Sequence, residues 1–171
     1  QLFRRMYGPH YRLRLTDIEE PIEAGPDDET IIADLADQAA VAGLMAGVDA
    51  VVHLAAETHI DAPWEDVLPN NIEGTYHVFE AARRAGVRKV VYASSHHACG
   101  YALAEHGAVG RGAPGPEAPV CPDGLYGVSK VFGEALGRLY ADRHGLSVIC
   151  LRIGWCHGAP TRGAQRAMVA R

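Results

Sequence analysis

Apolar and polar positions along the chain follow two rhythms. Residues 11–16 alternate and run into Asp17, which predicts a strand with an acid at its C-terminal end. Residues 30–33 are a short apolar run ending at Asp34, which predicts a second strand. The Ala-rich residues 37–46, stopped by Gly47, predict a helix. Residues 50–56 are almost continuously apolar, as in a strand buried on both faces of a parallel sheet. Helical spacing returns over residues 71–85 and closes at Gly86. Residues 89–94 predict another buried strand, residues 125–143 an amphipathic helix closed by Gly145, and residues 147–153 a last strand. Residues 1–7 read as the tail of a helix ended by Gly8-Pro9, and residues 21–28 as a polar loop. Residues 96–122 form a long Gly-, Ala- and Pro-rich loop, of the kind that is usually functional, and residues 154–171 read mainly as loop. No internal repeat is visible. Strands alternating with helices predict an α/β fold, a Rossmann-type parallel sheet with helices on both faces. Ligands of such sheets bind at the carboxyl ends of the strands, where Asp17, Asp34, Thr58, Ser94, Ser95 and His96 can converge.

Composition narrows the function classes. A length of 171 residues suits a single domain, and 48% apolar with 22% charged residues excludes a disordered chain. No run of 18 uncharged apolar residues occurs and no signal-peptide pattern opens the chain, so no membrane span and no secretion are expected. The net charge of −5, from 16 basic and 21 acidic residues, disfavours nucleic acid as a partner. The one basic cluster, Arg83, Arg84, Arg88 and Lys89, sits at a predicted helix end, where cations complement the dipole. Cys99, Cys121, Cys150 and Cys156 form no C-x-x-C pair, which fits reduced thiols in the cytoplasm. No metal is expected either. His96 and His97, read as strand neighbours, point to opposite faces and cannot share an ion.

Candidate chemistry starts at Tyr126-Gly-Val-Ser-Lys130. On a helix, positions i and i+4 share a face. An ammonium beside a phenol favours phenolate, which suits a tyrosine to general-base work. A surface tyrosine packed on a lysine stem would give the same spacing. Lysine is scarce here, however: Lys89 and Lys130 are the only two. Tyr92-Ala-Ser-Ser95 also ends the preceding strand with a hydroxyl at the carboxyl edge of the sheet.

Together these residues resemble the extended short-chain dehydrogenase/reductase superfamily (the NAD-dependent epimerase/dehydratase type), and most nearly its uronate dehydrogenase group. The matching stretches are Val52-His-Leu-Ala-Ala56, Asn71-Ile-Glu-Gly74, Ala93-Ser-Ser95, Asp123-Gly-Leu-Tyr-Gly-Val-Ser-Lys130-Val-Phe-Gly-Glu134 and Leu151-Arg-Ile-Gly154. The resemblance implies that Tyr126 is the catalytic base. Lys130 holds the nicotinamide ribose and tunes Tyr126, and Ser95 hydrogen-bonds the oxygen being oxidised. It implies NAD as cofactor, with Asp17 and Ile18 at the adenosine ribose and Asp34 and Leu35 at the adenine. Leu54, Ala55, Ala56, Ala93 and Ile153 would lie along the cofactor. Thr58, Ser95, His96 and Tyr126 would meet a sugar or sugar-acid substrate, with Arg162 and Arg166 as candidates for a carboxylate. Asn71 resembles the helix asparagine that supports the site. Asp17 could instead simply end a strand, Asp34 cap a turn and Asn71 cap a helix. The implied activity is oxidation of a hexuronate to an aldarolactone. A nucleotide-sugar epimerase or dehydratase, or a non-catalytic NAD-binding fragment, are the alternatives. A homodimer or larger oligomer is implied, through the helices near residues 71–85 and 125–143.

The departures are as informative. No glycine-rich phosphate loop follows a strand, and residues 107–112, with three glycines, lack the strand–helix context. Such a loop lies roughly 20 residues before the ribose acid, and counting back from Asp17 passes Gln1. Residues 1–171 are therefore expected to be one partial Rossmann domain without its first strand. That strand is central in the 3-2-1-4-5-6 order, so its loss should leave a seam in the sheet and an inactive fragment. His96 and Trp155 replace the group's usual asparagine and small hydroxyl residue, which reshapes the expected sugar pocket.

Overall fold

The computed structural model describes residues 8, 10–19, 24–100 and 116–154. The first two strands, β1 (Arg14–Asp17) and β2 (Glu29–Ile32), pair in parallel. Helix α1 (Gln38–Leu44) begins at Asp37, whose carboxylate accepts the backbone N–H groups of Ala39 and Ala40. This cap gives an acceptor to two of the N–H donors that a helix start leaves unmet. Arg14 on β1 reaches across to the carbonyls of Leu44 and Ala46 at the other end of α1 and pairs with Glu29 on β2. A second sheet holds β3 (Ala50–His53), β4 (Lys89–Ser95) and β5 (Ser147–Ile153), all parallel, with β4 in the middle.

The two sheets are separate: β1 and β3 do not pair. The seam falls where the 3-2-1-4-5-6 order puts a first strand between them. The parallel α/β architecture stands as expected. The strand at residues 50–56 does not stand as expected. It ends at His53, and one of its faces is open, with Val52 and Leu54 exposed. The ladder places Val52 beside Val91 and Ile149 on that face, and Ile149 and Leu151 are exposed as well. Apolar content reported sheet membership correctly, but no described helix covers this side.

The other face carries the core. Val90 and Tyr92 of β4, with Val51, Val148 and Cys150 beside them, meet two helices: α3 (Gly74–Arg84) through Val78, Phe79 and Ala82, and α4 (Leu125–His144) through Leu136 and Tyr140. Of the basic cluster, Arg83 and Arg84 sit in the last turn of α3 as expected, while Arg88 follows the helix and Lys89 opens β4. Arg83 and Arg84 pair with Glu80, which also accepts the Tyr140 hydroxyl, and Arg88 pairs with Asp49. A short helix α2 (Trp64–Val67) and one π-helical turn (Leu68–Glu73) run directly into α3, so the helical stretch expected from residue 71 in fact starts earlier, at Trp64. Among the described residues, no helix is long and apolar enough to cross a membrane.

Helix α4 lies close on β4 because Gly133 carries no side chain. A Cβ there would overlap the end of the Tyr92 ring, which is 1% exposed and has nowhere to go. We expect Gly133→Ala to cost about 2–3 kcal/mol by overpacking, read as a lower urea midpoint with an unchanged slope.

Candidate active site

β4 ends in Ser94 and Ser95, and the pleat sends them to opposite faces. Ser94 points to the helix-covered side and donates to Glu134 of α4. Glu134 also takes two hydrogen bonds from Arg152 of β5, at 2.8 Å each, and Arg152 donates to the carbonyl of Ala118 at 2.9 Å. Burial works against the Glu134 charge, but the hydrogen bonds from Arg152 and Ser94 outweigh it and hold the carboxyl below its usual range. One ion pair thus ties β4, α4, β5 and the segment leading into α4.

Ser95 is buried, and its hydroxyl accepts the N–H of His97, which opens a 3-10 turn at His96–Cys99. The turn corrects the expectation that His96 and His97 face opposite ways. A strand would separate them, but the turn brings their ring centroids to 4.1 Å, with the planes tilted by 38°. His96 lies against the Ile153 carbonyl of β5, and His97 meets both carboxylate oxygens of Asp123 at 2.9 and 3.0 Å. The His97 ring then stands edge-on to Tyr126, with centroids 5.7 Å apart. Gly127 lets α4 close on this turn, since a Cβ would overlap the His97 carbonyl. Among the described residues no three His, Cys, Asp or Glu side chains converge as a metal set.

One helical turn after Tyr126, Lys130 is 3% exposed. Its Nζ lies 5.4 Å from the centre of the Tyr126 ring and 5.3 Å from that of Tyr92. Burial lowers Lys130 to about 8. Between them, Ser129 donates to the Tyr126 carbonyl at 2.7 Å and accepts from Asn71 at 2.9 Å. Asn71 does not cap a helix. It sits inside the π-helical turn, where the Gly74 N–H reaches back five residues to Pro69. From there its amide binds both the N–H and the carbonyl of Glu57. One buried side chain therefore fixes the segment after β3 to the helix carrying Tyr126 and Lys130.

Behind the lysine, His53 is buried with its Nε2 3.2 Å from the Thr75 hydroxyl. Burial, and secondarily the Lys130 charge, lower this histidine to about 3. Its folded value lies below the unfolded one, so stability is full above pH ~6.5 and is lost as the unfolded chain takes up a proton. We expect the unfolding free energy to fall by up to about 1.4 kcal/mol per pH unit below pH ~6. The slope between pH 6 and 5 should flatten in His53→Gln, as read by urea titrations at each pH.

The residues expected at a cofactor sit at the carboxyl ends of their strands. Asp17 ends β1 and Ile18 follows it, both exposed, with the Ile18 N–H on the Asp17 carboxylate. Asp34 is exposed after β2 and accepts the Ala36 N–H, so it does form the local turn, with half-buried Leu35 beside it. Leu54 and Ala55 are exposed after β3, Ala56 is half-buried and Thr58 exposed; Ala93 is buried within β4 and Ile153 half-buried at the end of β5. Trp155, Arg162, Arg166 and residues 107–112 lie outside the described residues. Spacing did not reveal His97 with Asp123, or Ser129. The signals were a histidine three residues before Gly100 and an aspartate three before Tyr126, and neither has a periodic signature.

A family model described as the NAD dependent epimerase/dehydratase family matches residues 4–170. An L-arabinose 1-dehydrogenase (NAD(P)(+)) of Haloferax volcanii is 48% identical over 133 residues, covering 74% of this chain and 52% of its own length. A uronate dehydrogenase of Pseudomonas putida is 40% identical over 154 residues, covering 90% and 55%. The crystal structure of uronate dehydrogenase from Agrobacterium tumefaciens superposes with a TM-score of 0.79 at 40% identity, over 93% of this chain and 57% of that one. The chain thus spans about half the length of the curated relatives it matches.

Proposed function

Because the chain belongs to the NAD-dependent epimerase/dehydratase family, we propose that its protein oxidises a sugar or sugar acid with NAD, a hexuronate going to its aldarolactone being the leading case. The observation that carries this reading is Lys130, buried one helical turn from Tyr126 with its ammonium over the phenol ring. Tyr126 takes the proton of the sugar hydroxyl, Ser95 hydrogen-bonds the same oxygen, and the Lys130 ammonium stands over the Tyr126 ring. His96 and Thr58 stand at the sugar side, with Arg162 and Arg166 as candidates for a substrate carboxylate.

The residues present fit NAD. The exposed acid at Asp17 matches a ribose diol and repels a 2′-phosphate, and the neighbouring Ile18 offers no cation to offset that. Ala55 and Ala56 leave backbone accessible after β3. On this reading Asp17, Ile18, Asp34, Leu35, Leu54, Ala55, Ala56, Ala93, Ile153 and Lys130 hold the cofactor, which when bound supplies the acceptor for the hydride. Residues 1–171 form a single partial dinucleotide-binding domain. The enzyme works in the cytoplasm, and the exposed Tyr76 of α3 and Leu139 of α4 support pairing of two copies.

The test is NADH formation by the full-length protein with a panel of hexuronates and with L-arabinose. Turnover on a hexuronate supports the leading case, and turnover on arabinose alone moves the substrate to a neutral aldose. NAD binding without NADH from any of them would overturn the dehydrogenase reading in favour of an epimerase, a dehydratase or a non-catalytic binder.

A further inference from the structure

Lys130 is nearly fully buried, yet among the described residues no carboxylate stands against its ammonium. Buried cations ordinarily need a partner. What lies against this one is two aromatic rings, Tyr126 on its own helix and Tyr92 on β4. Tyr92 is held unusually firmly. It is 1% exposed, Gly133 closes over the end of its ring, and its hydroxyl shares Thr75 with His53. The His53 ring packs on it at 5.6 Å and Phe79 at 6.2 Å.

We propose that Tyr92 is a positioning residue for Lys130, its ring face supplying the negative partner that holds the ammonium beneath Tyr126. A cation over a phenol ring is attracted by the ring quadrupole, and more strongly when desolvated. Every titratable group around the lysine is compatible with this arrangement. Tyr126 and Glu134 lie one turn to either side on α4, and Glu134 is committed to Arg152 and Ser94. On β3 His53 stays neutral, so no second cation competes. On β4 burial pushes the Tyr92 phenol up, and on β5 burial pushes the Cys150 thiol up to about 11, so both remain protonated. The face of Tyr92, rather than its oxygen, is then the group that matters to Lys130.

This inference rests on the proposed role of Lys130 in the site, but its test needs no turnover. Lysine labelled with carbon-13 at Cε is titrated by NMR in the full-length protein. Within residues 1–171 only Lys89 and Lys130 report, and Lys89→Arg assigns them. Tyr92→Phe keeps the face and should leave the Lys130 midpoint where it is. Tyr92→Leu and Tyr92→Met, two variants so that one may fail to fold, should lower it by about one pH unit. A midpoint that stays or rises in the apolar variants overturns the proposal, as does an equal fall in Tyr92→Phe. Silence of the enzyme on every sugar would refute the functional reading while leaving this titration intact.

Discussion

Replacing Tyr126 by Phe is expected to lower kcat/KM by about 10³-fold or more while leaving NAD affinity within a few-fold of the parent. The substitution removes one oxygen and nothing else. The ring keeps its edge contact with His97, and Lys130 keeps an aromatic face above it. Ser129 and Asn71 hold the helix through the Tyr126 backbone carbonyl, which the substitution does not touch. A general base is worth about 10²–10⁴-fold. Steady-state NADH absorbance gives the rate, and fluorescence titration gives cofactor affinity. A residual rate within tenfold of the parent would refute the role of Tyr126. Loss of cofactor binding would show that the phenol is structural.

Arg152→Ala is expected to cost about 3 kcal/mol of stability, because it strands Glu134 in a partly desolvated site. The side chains of the pair are 20% and 17% exposed, so solvent recovers little of the loss. In a domain of this size the change corresponds to a melting temperature about 6–12 °C lower. Arg152→Lys should recover only part of it. A lysine cannot give the two parallel donors that Arg152 presents to Glu134 while also reaching Ala118. Replacing both partners together, Glu134→Met with Arg152→Leu, should cost less than Arg152→Ala alone, since no orphaned charge remains. The pair also sets an acid limit. The Glu134 carboxyl is held below its usual range, so its contribution is complete above pH ~4.5 and is lost as the pH falls further. Urea unfolding of the single and double variants at pH 7 and pH 4 checks both statements.

Much of this was legible in the residues. Strand β5 runs over the expected residues 147–153, and α4 begins at the expected Leu125, because apolar content and Gly145 punctuate both. Gly145 adopts a positive φ of 69° and ends α4. The helix over residues 64–70 was not legible. Proline ordinarily interrupts a helix, yet Pro63 only precedes a helix start, and a π-helical turn accommodates Pro69 at its beginning. The open face of β3 and β5 was also hidden, because an apolar residue looks the same whether or not a helix is there to cover it. Of the residues proposed for the site, Tyr126 and Lys130 stood out by spacing and Ser95 by its place at the end of a strand. His97–Asp123 and Tyr92–Thr75–His53 are contacts between elements distant in sequence, and only folding brings them together.

β4 is paired along both edges and covered on one face by two helices, so its amides are expected to be the last of the described residues to exchange with solvent in a hydrogen-exchange measurement. The groups proposed to do the chemistry are anchored on that hard centre, Ser95 at the tip of β4 and Tyr126 with Lys130 on the helix seated against it. A dinucleotide bound against these groups would meet, at its reactive end, side chains whose positions the core of the sheet fixes before it arrives.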